Sequence, residues 1–330
     1  MQFLRRILDG VEPHFEAGGR LEKLYPLYEG LDSFLFKTAD VTRGAAHVRD
    51  GLDLKRMMVT VVVALLPCIA MAAYNTGNQA LQAVAAGAQP LDSWQWSLFT
   101  RVFGEAYDAA NLVQCVALGA LHFLPILVAC FAAGGTVEVV FAAIRGHEVN
   151  EGFLVTGMLL PLSLPPTMPL WQVALGTAFG VVFAKEVFGG TGMNFLNPAL
   201  TARAFLFFAY PAYMSGDAPW IAADFAGVDS FSGATLLAQA AAQHGALETA
   251  SWWKAFVGNI PGSMGETSAL FALFGLAILL ITRVGSFETI SGVFLGTIVL
   301  SFLLNGVGSD TNPMFAMPFW WHMVLGGWAF

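Results

Sequence analysis

The chain has 330 residues, of which 56% are hydrophobic and only 12% charged, against about 25% charged in an ordinary soluble domain. The net charge is −8, and three isolated cysteines argue against an iron–sulfur or zinc site built by this chain alone. Lipid is the solvent this composition fits, so the expected fold class is an all-α integral membrane protein, a polytopic helical bundle.

Residues 1–56 form a distinct arm. Nine of the fifteen Lys and Arg residues lie there, together with nine acids, so the arm is mixed-charge and suits a cytoplasmic surface or a partner rather than a nucleic acid. The transmembrane part is then 57–330. Met57 to Tyr74 is a first charge-free span of nearly the length a bilayer needs. Leu112 to Ile144 is longer than one crossing and predicts one long or broken helix. Shorter spans follow at Phe153 to Leu164, Leu170 to Phe183, Pro198 to Met214, Ser268 to Thr282 and Ile290 to Leu304, with a last one opening at Phe319. Pro161, Pro165, Pro166, Pro198 and Pro211 interrupt them. Broken helices persist in lipid only where protein or a cavity satisfies the freed backbone, which is how transporters build midplane sites.

Counting crossings from a cytoplasmic N-terminus places twelve basic residues inside and two, Arg101 and Lys254, outside, with Arg203 in a span. That asymmetry obeys the positive-inside rule and puts the stretch 215–267 on the outer face. Trp94, Trp96, Trp252 and Trp253 suit an interfacial belt or packing on partner subunits. The spacing Gly176-x-x-x-Gly180 before Asn197-Pro198 echoes Gly292-x-x-x-Gly296 before Asn312-Pro313, a weak sign of a duplicated unit. The chain stops at Phe330 within an apolar helix, so a continuation beyond it is expected.

Three constellations carry chemistry. The run Lys185 to Pro198 passes through Gly189, Gly190 and Gly192 to Asn194 and Asn197 at a helix start; a flavin or phosphate fits there, and so does a tight turn capped by Asn. Gly134-Gly135 with Glu138 one turn on places an ionisable group beside a small-residue gap in a span, a functional hypothesis by default. It suits quinone chemistry or cation binding, with a helix-packing notch as the alternative. Asp229-Ser230-Phe231-Ser232-Gly233-Ala234-Thr235 reads physically as an exposed loop leading into a helix with Ser232 as N-cap. No metal-ligand spacing links the six histidines.

That last segment resembles the Asp-x-x-Ser-Gly-Ala-Thr motif on which a flavin transferase attaches FMN by a phosphoester. Leu27-Tyr28-Glu29, His47-Val48-Arg49-Asp50, Asp53-Leu54-Lys55-Arg56, His147 to Phe153, Lys185 to Pro198, Gly258 to Ser263 and Gly308 to Asn312 extend the likeness along the chain. Together they resemble the B-subunit family of sodium-pumping NADH:quinone oxidoreductases, translocases of the bacterial inner membrane, rather than its shorter-armed Rnf relatives. The resemblance implies about eight of ten helices present here, covalent FMN on Thr235 with Asp229 and Ser232 in the motif, and riboflavin near Asn194 and Asn197. It also implies a ubiquinone or sodium role for Gly134, Gly135, Glu138 and Glu29. Other subunits, a flavin transferase, membrane lipid and quinone are the implied partners. The chain has no dinucleotide-binding fingerprint, so NADH oxidation is expected on a partner. The competing readings are an Rnf-type electron-transport subunit and a flavin-free solute or ion channel.

Overall fold

In lipid a backbone must satisfy its own polar groups, and the apolar runs of this sequence do so as helices. The computed structural model describes residues 2–15, 18–25, 28, 32, 54–146, 149, 152–225, 233–242, 245 and 247–327. In chain order the α-helices are α1 Gln2–Val11, α2 Leu54–Ala85, α3 Trp94–Phe103, α4 Leu112–Arg145, α5 Gly152–Ser163, α6 Leu170–Ala184 and α7 Pro198–Ala209. After these come α8 Pro211–Met214, α9 Leu236–Ala242, α10 Trp252–Val257, α11 Ala269–Ile281, α12 Phe287–Val307 and α13 Phe319–His322. The only strands among the described residues are β1 Gln89–Pro90 and β2 Ala223–Asp224, an antiparallel pair with Gln89 opposite Asp224. The protein is an all-α membrane protein. Four helical segments, α2, α4, Leu170–Phe188 and α12, are long and apolar enough to cross a membrane, while α5, α7 and α11 are shorter apolar helices.

The long run from Leu112 is one continuous helix of 34 residues, with Pro125 inside it and Asn111 capping its start. The first span differs from expectation, because α2 runs past Tyr74 to Ala85. Its polar extension is buried and paired: Asn75 Nδ2 donates to the Ile260 carbonyl at 2.9 Å, and Asn78 Nδ2 to the Ala109 carbonyl at 3.0 Å. Such polar side chains end the apolar run in the sequence, yet here they bind other segments to the helix.

Helices α2 and α4 cross at backbone contact. A Cβ on Gly77 would fall on the Cys115 carbonyl, and one on Gly119 on the Ala73 carbonyl, so small residues set the distance of approach. Around this crossing Leu81, Trp96, Phe99 and Leu118 form a buried cluster. Trp96 does not belong to an interfacial belt: it is buried and its Nε1 donates to the Ala222 carbonyl at 2.7 Å. Trp94 and Trp253 are exposed, as a belt requires.

The main core lies where α4, α5, α6 and α7 meet, with Phe123, Ile126, Leu160, Val173 and Leu206 at its centre. Residues 258–268 fold back onto this core. The N–H groups of Met264 and Gly265 donate to the carbonyls of Leu164 and Leu162 at 3.2 and 2.7 Å, and Glu266 pairs with Arg203 of α7 at 3.2 Å. The break between α5 and α6 thus has its freed carbonyls satisfied by the protein.

Candidate functional site

Glu138 lies one helical turn beyond Gly134 on α4, and Lys185 follows the last residue of α6. Although 47 positions apart, they form an ion pair in which each side chain is only 3% exposed. Lys185 Nζ also stands 3.9 Å from Oε1 of the buried Glu186. Arg145 closes the cluster from the end of α4: its Nη1 lies 3.2 Å from Glu186 Oε2, and its Nη2 donates to the Glu186 carbonyl at 2.7 Å. Two carboxylates and two cations make the group neutral in sum. Removing one member of such a pair leaves a buried charge uncompensated, at a typical cost of about 3–5 kcal/mol.

Glu138 is therefore a paired acid, and the gap beside it is partly filled. A Cβ on Gly134 would strike the Phe153 ring and approach the Thr177 methyl, whereas one on Gly135 would meet open space. The two glycines face different surroundings. Gly134 seats α5 against α4, and Gly135 leaves the helix surface clear.

The ion pair joins α4 to the run Lys185 to Pro198. This run is a chain of tight turns in which Gly189, Gly190 and Gly192 take φ of 116°, 101° and 88°, a region that favours glycine. Asn194 is used within the turn, its Oδ1 accepting from Gly192 N at 3.2 Å and its Nδ2 donating to the Leu196 carbonyl at 2.7 Å. Asn197 is the N-cap of α7: Oδ1 accepts from Ala199 N at 2.9 Å and Leu200 N at 3.2 Å, with Pro198 at the first helical position. The capping role seen in the sequence is thus present. The turn nonetheless has features that fit a flat ring. Met193 and Phe195 are exposed, and the Phe188 and Phe195 rings stand 4.7 Å apart edge to face; Thr191 faces inward against Gly152, its Oγ1 buried without a hydrogen-bond partner among the described residues.

Thr235 sits apart from these elements in sequence, at the start of α9. Its Oγ1 accepts from Ala238 N at 3.2 Å, so Thr235 rather than Ser232 is the N-cap. A Cβ on Gly233 would press on the Asp217 carbonyl, which fixes the preceding backbone against the 215–225 segment. Gln239 Nε2 donates to the Ala234 carbonyl at 2.9 Å. The Thr235 side chain is half-buried at the surface. Asp229, Ser232 and Glu29 lie outside the described residues. Tyr28, next to Glu29 in sequence, is buried and stacks on Phe15 at 5.5 Å, and burial pushes its phenol above the usual range.

In the sequence, Lys185 and Glu186 read only as charges at a membrane edge, and the Arg203–Glu266 pair leaves no mark at all. Arg145, which serves there only to set topology, also stacks its guanidinium 5.0 Å from the Phe141 ring. Partners that far apart leave no local spacing to read.

Residues 41–330 match the family described as NQR2, RnfD, RnfE. The chain belongs to that family. It is 53% identical to the B subunit of a Na(+)-translocating NADH-quinone reductase from Pseudomonas paraeruginosa, over 99% of this chain and 81% of the relative. Proteins of the same name from Chromohalobacter salexigens and Klebsiella pneumoniae are 52% and 51% identical over 99% of this chain, covering 79% and 82% of their own lengths. These family members share the length of the chain, from the arm through α13.

Proposed function

We propose that this chain is the membrane-embedded B subunit of a sodium-translocating NADH:quinone reductase in a bacterial inner membrane. It works with other subunits, one of which oxidises NADH. Its flavins, FMN bound covalently at Thr235 and riboflavin beside Asn194 and Asn197, supply one-electron carriers on the way to ubiquinone. The arm, 1–56, lies on the cytoplasmic side and the stretch 215–267 on the other. The charge asymmetry of twelve basic residues against two supports that orientation.

The observation that carries this reading is the hydroxyl of Thr235 on a surface helix start in the Asp229-to-Thr235 motif. A phosphoester needs a side-chain oxygen that a flavin transferase can reach, and Thr235 is half-buried at the surface, whereas Gly233 and Ala234 before it are packed inward. Asp229 and Ser232 complete the segment the transferase would read. For riboflavin, the glycine-rich turn offers open backbone at Gly190 and Gly192, where nothing lies within 4 Å of an added Cβ. Exposed apolar side chains at Met193 and Phe195 offer faces for an aromatic ring system. Glu138, a buried acid of α4, handles the transported sodium, with a role in quinone reduction as the alternative, and the helix surface left clear at Gly135 is where a quinone ring approaches. Glu29 is assigned the same quinone or sodium role by its place in the sequence motif.

Thr235→Val tests the reading directly, because it keeps the branched shape and removes only the oxygen. In protein co-expressed with its flavin transferase, the fluorescent band on a denaturing gel should disappear, and the intact mass should fall by one FMN adduct. The loss of the N-cap should cost about 1 kcal/mol of local helix stability. Ser232→Ala should keep the adduct. A covalent flavin that survives on Thr235→Val would show the attachment assignment to be wrong.

A further inference from the structure

Resting on the reading of Glu138 as the acid that handles sodium, we propose that Lys185 is a tethered competitor for the ion. Its ammonium holds the Glu138 carboxylate when sodium is absent, and sodium entry passes the ammonium to Glu186. The buried cluster has the parts this exchange requires. Glu138 and Lys185 are both buried and paired, and the second carboxylate is already 3.9 Å from Nζ. Arg145 occupies Glu186 through Oε2 and the main-chain carbonyl. Oε1 is thereby the oxygen left on the side of Lys185.

The residue types matter. A lysine carries a compact charge on a flexible four-carbon stem, so its ammonium can swing between two acceptors, whereas an arginine fork fixes itself to one carboxylate. Charge arithmetic gives the swing its use. The four side chains sum to zero, and a sodium ion raises the buried total by one. A fixed acid without a competing cation would bind sodium tightly and release it slowly. With Lys185 returning to Glu138, the ion is displaced by an internal charge, and the site stays weak enough to unload. No bond is made or broken in this exchange, and no proton changes hands.

The experiment is a sodium titration of NADH:quinone turnover in the assembled complex, at constant ionic strength. Lys185→Met removes the competitor, so half-saturating sodium should fall about tenfold, the usual scale of a coupling between sites, while maximal turnover also falls because release slows. Lys185→Arg should move the same constant upward several-fold, with a smaller loss of turnover, because the fork holds Glu138 more firmly. Glu186→Gln removes the receiving carboxylate and should also raise it. A merely structural lysine would change yield or turnover without driving half-saturation in opposite directions. If the Met variant does not assemble, the Arg and Gln variants carry the test, and unchanged half-saturation in both overturns the proposal. Glu138→Gln separates the two layers: sodium activation that persists there defeats the underlying reading of Glu138. Activation lost in Glu138→Gln, with the Lys185 and Glu186 variants unshifted, defeats only the competitor.

Discussion

Helices α6 and α12 carry the same Gly-x-x-x-Gly spacing followed by an Asn-Pro start, and the structure treats them differently. On α6, a Cβ at Gly176 would meet Leu206, and one at Gly180 would lie 2.7 Å from Ala202 Cβ and 2.5 Å from the Pro198 carbonyl. On α12, Gly292 and Gly296 have nothing within 4 Å. The Asn-Pro pairs remain alike at their caps: Asn197 opens a helix of 12 residues and Asn312 a 3-10 turn of 4. Small-residue spacing therefore permits a close approach without requiring one. The neighbour decides, and α12 keeps Leu295, Phe302 and Leu303 exposed along its length.

The comparison can be broken or sharpened by adding single methyl groups or side chains. The largest effect is expected at the α2–α4 crossing, where Gly77→Val forces a side chain into the Cys115 backbone; about 3 kcal/mol or more should be lost, read as a collapse in detergent-solubilised folded yield. Gly180→Ala should be milder, about 1–3 kcal/mol, and should lower the thermal midpoint without abolishing the fold. Smallest is the pair Gly292→Ala and Gly296→Ala, each expected to be neutral or to gain about 0.5–1 kcal/mol from helix propensity. If either costs as much as Gly180→Ala in the assembled complex, the open face of α12 is a covered one there, and the two halves are closer relatives than their packing in this chain suggests.

Much of the fold was legible where the sequence joins an apolar run to a cap. Ser268 before α11 and Asn197 before Pro198 mark starts that the structure keeps, since each side chain accepts from a backbone N–H of its own first turn. The end of α2 was not legible. Asn75, Thr76, Asn78 and Gln79 end the apolar run in the sequence, and only the Ile260 and Ala109 carbonyls supplied by remote segments make them helix. The site divides in the same way. Glu138 and the Lys185 to Pro198 run could each be singled out locally, because a carboxylate in a span and three glycines in a turn are costly without a role. Their union through the Glu138–Lys185 pair could not, since nothing in either stretch encodes the other. Thr235 stands between: its motif was visible, but its service as N-cap depends on where α9 begins.

The glycine crossing of α2 and α4 gives the long helix a fulcrum. From Gly119 to Glu138 the helix rises about 28 Å at 1.5 Å per residue, so the acid sits at the end of a lever whose pivot is fixed by touching backbones. A tilt of about 5° around that pivot would carry Glu138 sideways by roughly 2.5 Å, by the same helical geometry. Glu138 moves with α4, whereas Lys185 and Glu186 are neighbours at the end of α6, so that stroke acts on the Glu138–Lys185 pair. A small rotation at the glycine crossing would thus be felt at the far end as the opening of a buried ion pair.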